Sequence, residues 1–156
     1  MPTSPGPAAP LPVPPFIGAM LRVPSQAIHR RLVLELNAAG FEEICLPHIA
    51  VLQYPGPHGV RPSVLAERAG MSKQAMNQLL RSLEDSGYIV RGDHADEGRA
   101  RVVRFTKRGF ATYAKIKDIF IKIEKEWSAE LGPKAFGRLK ELLGHVWVSP
   151  LVRVTS

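Results

Sequence analysis

The sequence predicts a mainly α protein with a small β component (α+β), and three observations lead to that fold class. Helical patterns at residues 16–39 and from residue 106 onward flank the middle of the 156-residue chain. In the middle, two shorter helical patterns flank a glycine at position 70. Two strand-like runs, residues 88–91 and 101–105, follow the second of these helices. Helix, glycine turn, helix and hairpin together predict a winged helix-turn-helix, with the terminal helices forming a dimerisation domain.

The N-terminal region begins with seven prolines within residues 1–15. Such a stretch is typical of an extended or disordered arm, although an arm packed across a second copy is an alternative. Residues 16–39 predict a helix interrupted near Pro24, because proline removes a backbone hydrogen bond. Its apolar stripe consists of Ile28, Leu32, Val33 and Leu36, and Gly40 ends it. Residues 46–53 predict a short second helix.

The helix-turn-helix is predicted from its end signals. Pro62 suits the first position of a helix, where no amide donor is needed. Gly70 suits a left-handed residue at the end of that helix. Ser72 is a good N-cap for the next helix, which we expect from about residue 73 to 86. The apolar residues of this helix fall on one side at helical spacing: Ala75, Met76, Leu79, Leu80 and Leu83.

The other side of the second helix carries hydrogen-bonding side chains at the spacing i, i+3, i+4, i+7: Gln74, Asn77, Gln78 and Arg81. Amides bond bidentately to adenine and arginine bonds to guanine in the major groove of DNA. Ser72 and Lys73, near the positive end of the helix, suit phosphate contacts. Asp85 lies near the same side and would repel phosphate. A merely solvated face is the alternative, but the amides, the preceding turn and the basic hairpin favour DNA reading.

The hairpin predicts a wing. Four arginines flank its tip: Arg91, Arg99, Arg101 and Arg104. Arginine is favoured in a narrow minor groove, where the negative potential is concentrated. Asp93 or Asp96 could pair with Arg99 or Arg101 and stiffen the tip, leaving the other arginine free for DNA. An ordinary surface hairpin of mixed charge is the alternative, because exposed ion pairs contribute little.

The C-terminal third predicts two helices, 106–131 and a last helix after Gly132 and Pro133. The first carries the long-helix stripe, spaced 3, 4, 3, 4: Tyr113, Ile116, Phe120, Ile123 and Trp127. Such a heptad-like pattern suits packing along another long helix. A small chain would struggle to cover this stripe and that of the last helix, so we expect a homodimer, with these interface residues: Phe120, Ile123, Trp127, Phe136, Leu139 and Leu143. A stripe of this kind also fits an intramolecular core.

Composition narrows the class of protein. The formal net charge of +7 and the isoelectric point near 9.9 favour a polyanionic partner. One cysteine, Cys45, excludes an intrachain disulfide and favours a reducing compartment. No apolar stretch is long enough for a bilayer, and no secretory signal is recognisable, so we expect no membrane partner and a cytoplasmic location.

Catalytic and metal chemistry are not favoured. The sequence contains no nucleophile elbow and no phosphate loop, so we expect neither an enzyme nor a cofactor. Glu42, Cys45 and His48 lie close in sequence, which leaves metal regulation as an alternative; the scattered histidines favour no metal. Redox sensing by Cys45 is a second alternative.

Three segments together resemble the MarR family of winged helix-turn-helix transcription regulators: residues 65–76, residues 83–89, and the wing from Asp93 to Gly109 with its Thr106-x-x-Gly109 helix start. The resemblance implies a triangular homodimer that binds a pseudo-palindromic operator in double-stranded DNA, usually as a repressor. Its DNA-contacting positions carry over to Ser72, Lys73, Gln74, Asn77, Gln78 and Arg81. The wing arginine carries over to Arg99, or to Arg101, because Glu97 and Gly98 lengthen the tip by one residue.

The resemblance also implies an effector pocket for a small aromatic ligand, with Phe41, His48, Leu52 and Tyr113 as its lining; these residues could equally form closed core. The expected organisation is an arm (1–15), a helical dimerisation region (16–45 and 107–156) and a winged helix-turn-helix DNA-binding domain (46–106). The alternative function is a winged-helix module for protein association or RNA binding without operator specificity. Salt dependence and operator protection distinguish the two.

Overall fold

The computed structural model describes residues 15–54, 56, 58–93, 101–150 and 152. Within them the chain forms six helices and two strands: α1 (Ile17–Ala38), α2 (Leu46–Leu52), α3 (Pro62–Ala69), α4 (Lys73–Asp85), β1 (Ile89–Asp93), β2 (Arg101–Phe105), α5 (Lys107–Leu131) and α6 (Pro133–Val148). The predicted mainly α winged helix-turn-helix is confirmed. None of the helices in these ranges has the length and apolar character needed to cross a bilayer. The proline-rich arm lies outside the described residues.

The interruption predicted near Pro24 is wrong, because α1 runs through it as one helix of 22 residues. A proline at this position removes one backbone hydrogen bond, the one that would reach the carbonyl of Met20. Met20 is half exposed, so water can hydrate that carbonyl. The predicted helix therefore has the right extent but no break.

The core lies between the helices α1 to α5 and includes one or more side chains from each of them and from both strands. Its side chains include Leu32 and Leu36 of α1, Leu52 of α2, and Ile116 and Ile119 of α5, all almost fully buried. Burying a side chain of this size stabilises the fold by about 1.5–3 kcal/mol. The core fixes the place of α4, because Met76, Leu80 and Leu83 of that helix belong to it. Leu79 is half-buried and Ala75 is exposed, so the buried side of α4 is narrower than predicted.

The two strands pair antiparallel, from Ile89 opposite Phe105 to Asp93 opposite Arg101. β1 thus extends two residues beyond the predicted strand. Val60 adds an isolated bridge to β2: its amide donates to the Val103 carbonyl at 2.9 Å, and the Val103 amide donates back at 2.8 Å. The segment before α3 is thereby joined to the hairpin, a contact that the sequence did not predict.

The structure does not support Ile123 as a residue of the dimer interface. This side chain is 4% exposed and packs in the core of the protomer itself, because α1 lies along α5. Ile123 is therefore not available to a partner. Phe120 and Trp127 are half-buried against the same core and stay predicted interface residues.

The last helix is different, because none of its residues is buried. Its exposed apolar side chains include Leu139, Leu142, Leu143, Val146 and Trp147. Phe136 is half-buried. The first turns of α1 also expose apolar side chains: Phe16, Ile17, Met20, Leu21 and Val23. Both ends of the described chain therefore present apolar surface to solvent.

Candidate nucleic-acid interface

Helix α4 begins and ends at well-defined caps. Its N-cap Ser72 accepts a hydrogen bond from the Ala75 amide through Oγ at 3.1 Å, as predicted. Gly70 before it is left-handed, with φ +62°. At the other end Gly87 has φ +77°, a conformation that glycine adopts without strain. The Tyr88 amide then donates to the Leu83 carbonyl at 2.8 Å, which closes the helix in a Schellman motif.

The polar face of α4 points away from the core. Gln74, Asn77, Gln78 and Arg81 are all exposed and together line one shallow surface depression. Ser72 and Lys73 are exposed at the start of the helix, where free backbone amides and the helix dipole create a positive end. The face therefore offers amide donors and acceptors, one guanidinium, and an anion-attracting end along a single helix.

On the wing, Arg91 is engaged by Glu84 of α4. Arg91 Nε donates to Glu84 Oε2 at 2.8 Å, the Arg91 backbone amide donates to Oε1 at 3.2 Å, and Arg91 Nη2 lies 2.6 Å from Oε2. The bond from Arg91 holds the pKa of Glu84 below its ordinary value. The sequence does not indicate this role of Glu84, because the pair joins a helix to a strand across a glycine turn.

The other wing arginines divide into two groups. Arg101 and Arg104 are exposed on β2. Arg99 and Asp96 lie outside the described residues, as does the side chain of Asp93. The ion pair at the tip, and the choice between Arg99 and Arg101 for the minor groove, therefore stay predictions.

Thr106 and Arg108 hold the turn between α4 and β1 against the start of α5. Thr106 Oγ1 caps α5 by accepting from the Gly109 amide at 3.1 Å and donates to the Gly87 carbonyl at 2.6 Å. Arg108 donates to the Ser86 carbonyl at 3.1 Å. These bonds fix the turn that precedes the hairpin against the first residues of α5.

A second set of contacts joins the same turn to the loop between α1 and α2. Arg108 Nη2 donates to both carboxylate oxygens of Glu43 at 2.9 Å, and its guanidinium carbon lies 4.4 Å from the centre of the Tyr88 ring. Tyr88 donates its hydroxyl to Glu43 Oε2 at 2.9 Å. Burial, followed by this bond, raises the pKa of Tyr88. The hairpin is thereby linked to the helical body of the protein.

Two of the four residues predicted to line an effector pocket are closed core, the alternative that the sequence left open. Leu52 and His48 are buried, and the effector role of the four stays a prediction. His48 Nδ1 accepts from the Cys45 amide at 3.2 Å, and Nε2 lies 3.3 Å from Ser82 Oγ. His48 therefore caps α2 and ties it to α4, and burial lowers its pKa. Phe41 and Tyr113 are half-buried.

An open apolar groove lies instead between α1 and the start of α2. Val33, Leu34 and Leu46 form its apolar part, and the remaining lining residues are Gln26, His29, Arg30 and Cys45. We call it the α1–α2 groove. One residue in the sequence indicates this groove: Leu34 is apolar but lies outside the predicted α1 stripe. In the structure its side chain is 69% exposed. In the described part of the chain, no group of three or more histidine, cysteine or acidic residues could hold a metal ion.

A helix-turn-helix with an exposed amide and arginine face and an adjoining hairpin defines the class of DNA-binding regulators. Comparison with known proteins agrees. The family model described as MarR family matches residues 46–100. The HTH-type transcriptional repressors Mb2911 of Mycobacterium bovis and Rv2887 of Mycobacterium tuberculosis are each 31% identical over 131 residues, which is 82% of this chain and 88% of theirs. The chain belongs to the MarR family, as its sequence motifs predicted, and is a winged helix-turn-helix transcriptional regulator.

Solved structures share the fold. Rv2887 of M. tuberculosis with salicylic acid is 25% identical, with a TM-score of 0.62, covering 87% of this chain and 99% of that one. Rv2887 with DNA is 23% identical, with a TM-score of 0.62, covering 85% and 98%. The reduced form of MarR from E. coli is 20% identical, with a TM-score of 0.70, covering 86% and 97%.

Proposed function

We propose that the protein is a repressor that binds a pseudo-palindromic operator in double-stranded DNA as a homodimer. One observation carries the proposal: Gln74, Asn77, Gln78 and Arg81 are exposed together on α4, whose opposite side is held in the core. In the major groove these side chains would read base edges. Ser72 and Lys73 would bind phosphate at the start of the helix.

The wing would grip the neighbouring minor groove. Arg101 is exposed at the end of β2 that is nearest the tip, and Arg99 is the other candidate for insertion. Arginine in a narrow minor groove senses DNA shape as well as charge. Reading by α4 and gripping by the wing would therefore contribute separately to operator affinity.

Dimerisation is supported by the apolar ends of the chain. Leu139, Leu143 and Trp147 of α6 and Phe16 and Ile17 at the start of α1 are exposed. Large apolar side chains exposed together on one helix, as on α6, mark an interaction site. A two-fold dimer would present two α4 helices to major grooves about 34–36 Å apart, which requires a pseudo-palindromic operator.

A small aromatic acid is the effector that we infer. The relative Rv2887 has been solved with salicylic acid and with p-aminosalicylic acid. In the present chain the α1–α2 groove would take the ring between Val33, Leu34 and Leu46, with Arg30 available to the carboxylate. Binding there would act on the dimer region rather than on the DNA-contacting face. The proposal involves no enzymatic step, and we place the protein with its DNA in the cytoplasm.

The test is selection of bound duplexes from a randomised pool with the purified protein, followed by footprinting of the selected sequence. We expect a protected two-fold-related site and a steep loss of affinity with rising salt. Salicylate added to the complex should release the DNA. A protein-association or RNA-binding module would give neither enrichment nor protection, and that result would overturn the proposal.

A further inference from the structure

The structure assigns to Glu84 a role that its charge alone would not suggest: it is a positioning residue that fixes the wing relative to α4. This inference rests on the proposed DNA-binding function. Glu84 lies in the last turn of α4, one helical turn after Arg81, and Arg91 lies on β1. A single carboxylate therefore joins the helix proposed to read bases to the hairpin proposed to grip the adjoining groove.

The contact is built to define orientation as well as distance. Oε1 of Glu84 accepts from the backbone amide of Arg91 at 3.2 Å, and Oε2 accepts from its Nε at 2.8 Å. Nη2 of the same guanidinium lies 2.6 Å from Oε2. One carboxylate thus binds both the main chain and the side chain of the same strand residue. Charge-assisted bonds of this kind are shorter and stronger than neutral ones.

Partial burial makes this pair more effective than an exposed one. The side chains of Arg91 and Glu84 are 23% and 35% exposed, so water screens them less than it screens a surface pair. Arg101 on β2 also acts electrostatically on Glu84 and lowers its pKa, after the larger effects of the Arg91 bonds. The carboxylate therefore attracts both strands of the hairpin.

A carboxylate on a DNA-facing surface has two opposite consequences. If Glu84 acted only through its charge, its removal would relieve repulsion from phosphate and free a cation, and DNA would bind more tightly. If Glu84 positions the hairpin, its removal allows the wing to move relative to α4, and the two contacts no longer fit one DNA register. Binding groups must be held to within about 0.5 Å of their productive position by the residues around them. Removal of Glu84 would therefore weaken DNA binding by the wing. The two roles therefore predict changes of opposite sign.

The experiment compares Glu84→Ala with Asp85→Ala, a change of the same charge at the exposed neighbouring residue. The probes are the duplex selected from a randomised pool by the wild-type protein and a scrambled duplex of equal length. We expect Glu84→Ala to weaken binding of the selected duplex by about tenfold, with scrambled-duplex binding unchanged or tighter. Asp85→Ala should bind both duplexes at least as tightly as the wild type. Hydroxyl-radical footprints of the Glu84→Ala complex should lose protection beside the α4 site while protection at that site remains.

Glu84→Gln provides the second arm, because its amide oxygen can still accept from the Arg91 guanidinium, whereas its amide nitrogen cannot accept from the Arg91 backbone amide. We expect its affinity for the selected duplex to lie between those of Glu84→Ala and the wild type. Thermal unfolding of each variant confirms that the fold is retained. The inference is overturned if Glu84→Ala binds the selected duplex as tightly as Asp85→Ala, if binding of both duplexes falls equally, or if Glu84→Gln is as defective as Glu84→Ala. Failure of the wild type itself to select any duplex would instead reject the proposed function.

Discussion

Gly109 lies directly against the backbone of Tyr88. A Cβ at position 109 would stand 2.1 Å from the Tyr88 carbonyl oxygen, which is closer than any side chain can approach. The same carbonyl accepts from the Thr106 amide at 3.1 Å, and the Thr106 hydroxyl caps the Gly109 amide. The start of α5 and the start of the wing are thus packed main chain against main chain, which only glycine at position 109 allows.

Gly109→Ala should therefore destabilise the fold. The nearest atoms are backbone, which cannot rotate away, so we expect a loss of about 1–3 kcal/mol in the free energy of unfolding. Gly137→Ala in α6 is the matched control, since a Cβ there meets nothing within 4 Å; it should be neutral or stabilising by up to about 1 kcal/mol. Urea unfolding at fixed protein concentration measures both. Equal stability of the two variants would show that α5 can shift away from Tyr88.

Arg81→Ala should weaken binding to the selected operator by about 1–3 kcal/mol and relax base preference at one position in each half-site. The reason is that Arg81 is exposed on the proposed reading face, where it can bond a guanine edge. Arg138→Ala removes the same charge from the exposed surface of α6 and should leave base preference unchanged. Equal losses on operator and scrambled duplex would reject base reading by Arg81.

Lys73→Ala should weaken binding to all duplexes alike and flatten the salt dependence by about one ion. Lys73 is the first residue of α4, where a phosphate would meet both its ammonium and the free backbone amides. Lys134→Ala, at the start of α6, is the control for a lost positive charge far from DNA. A salt slope identical to that of the wild type would exclude Lys73 from the phosphate contacts.

The parts of the fold set by local chemistry could be predicted from the sequence. Ser72, Gly70 and Gly87 mark the ends of helices because capping depends on a few adjacent residues. The polar face of α4 could also be predicted, because the helical spacing of its side chains is likewise a local property of the sequence. The continuity of α1 through Pro24 could not be predicted, because a proline inside a helical pattern usually ends or kinks the helix.

Contacts between distant segments were the ones missed. Glu84 with Arg91, Val60 with Val103, and the packing of Ile123 under α1 all depend on how elements meet in space. A 3–4 apolar stripe looks the same whether a neighbouring helix or a partner covers it. The family resemblance predicts His48 as pocket lining, but the sequence does not reveal that Cys45 and Ser82 contact its two ring nitrogens.

Leu143→Glu should dissociate the proposed dimer. Leu143 is 38% exposed in the protomer, so a glutamate there can be hydrated in a monomer but would be an unpaired buried charge in the dimer. Phe120→Glu is a poorer test, because Phe120 packs against the protomer core and its loss would also disturb the fold. Lys134→Glu places a glutamate on the polar side of α6 and should leave the dimer intact. Sedimentation velocity distinguishes the two states, and an intact Leu143→Glu dimer would move the interface elsewhere.

Stability should fall as the pH drops from 7 towards 5, and His48 should account for part of the loss. Burial lowers the pKa of His48 in the folded protein below its ordinary 6.5, so the unfolded chain binds this proton at a higher pH than the folded one. The contribution is therefore complete above pH 6.5 and declines between 6.5 and the folded pKa. Carboxylates such as Glu84, whose folded pKa is held below 4.5, act only at lower pH. His48→Asn keeps an acceptor for the Cys45 amide and removes the titration, so its free energy of unfolding should vary less over this interval. Denaturant melts at pH 7, 6 and 5 give the free energy of unfolding at each pH. If this free energy varies with pH equally in His48→Asn and the wild type, the pKa of His48 is not lowered in the folded protein.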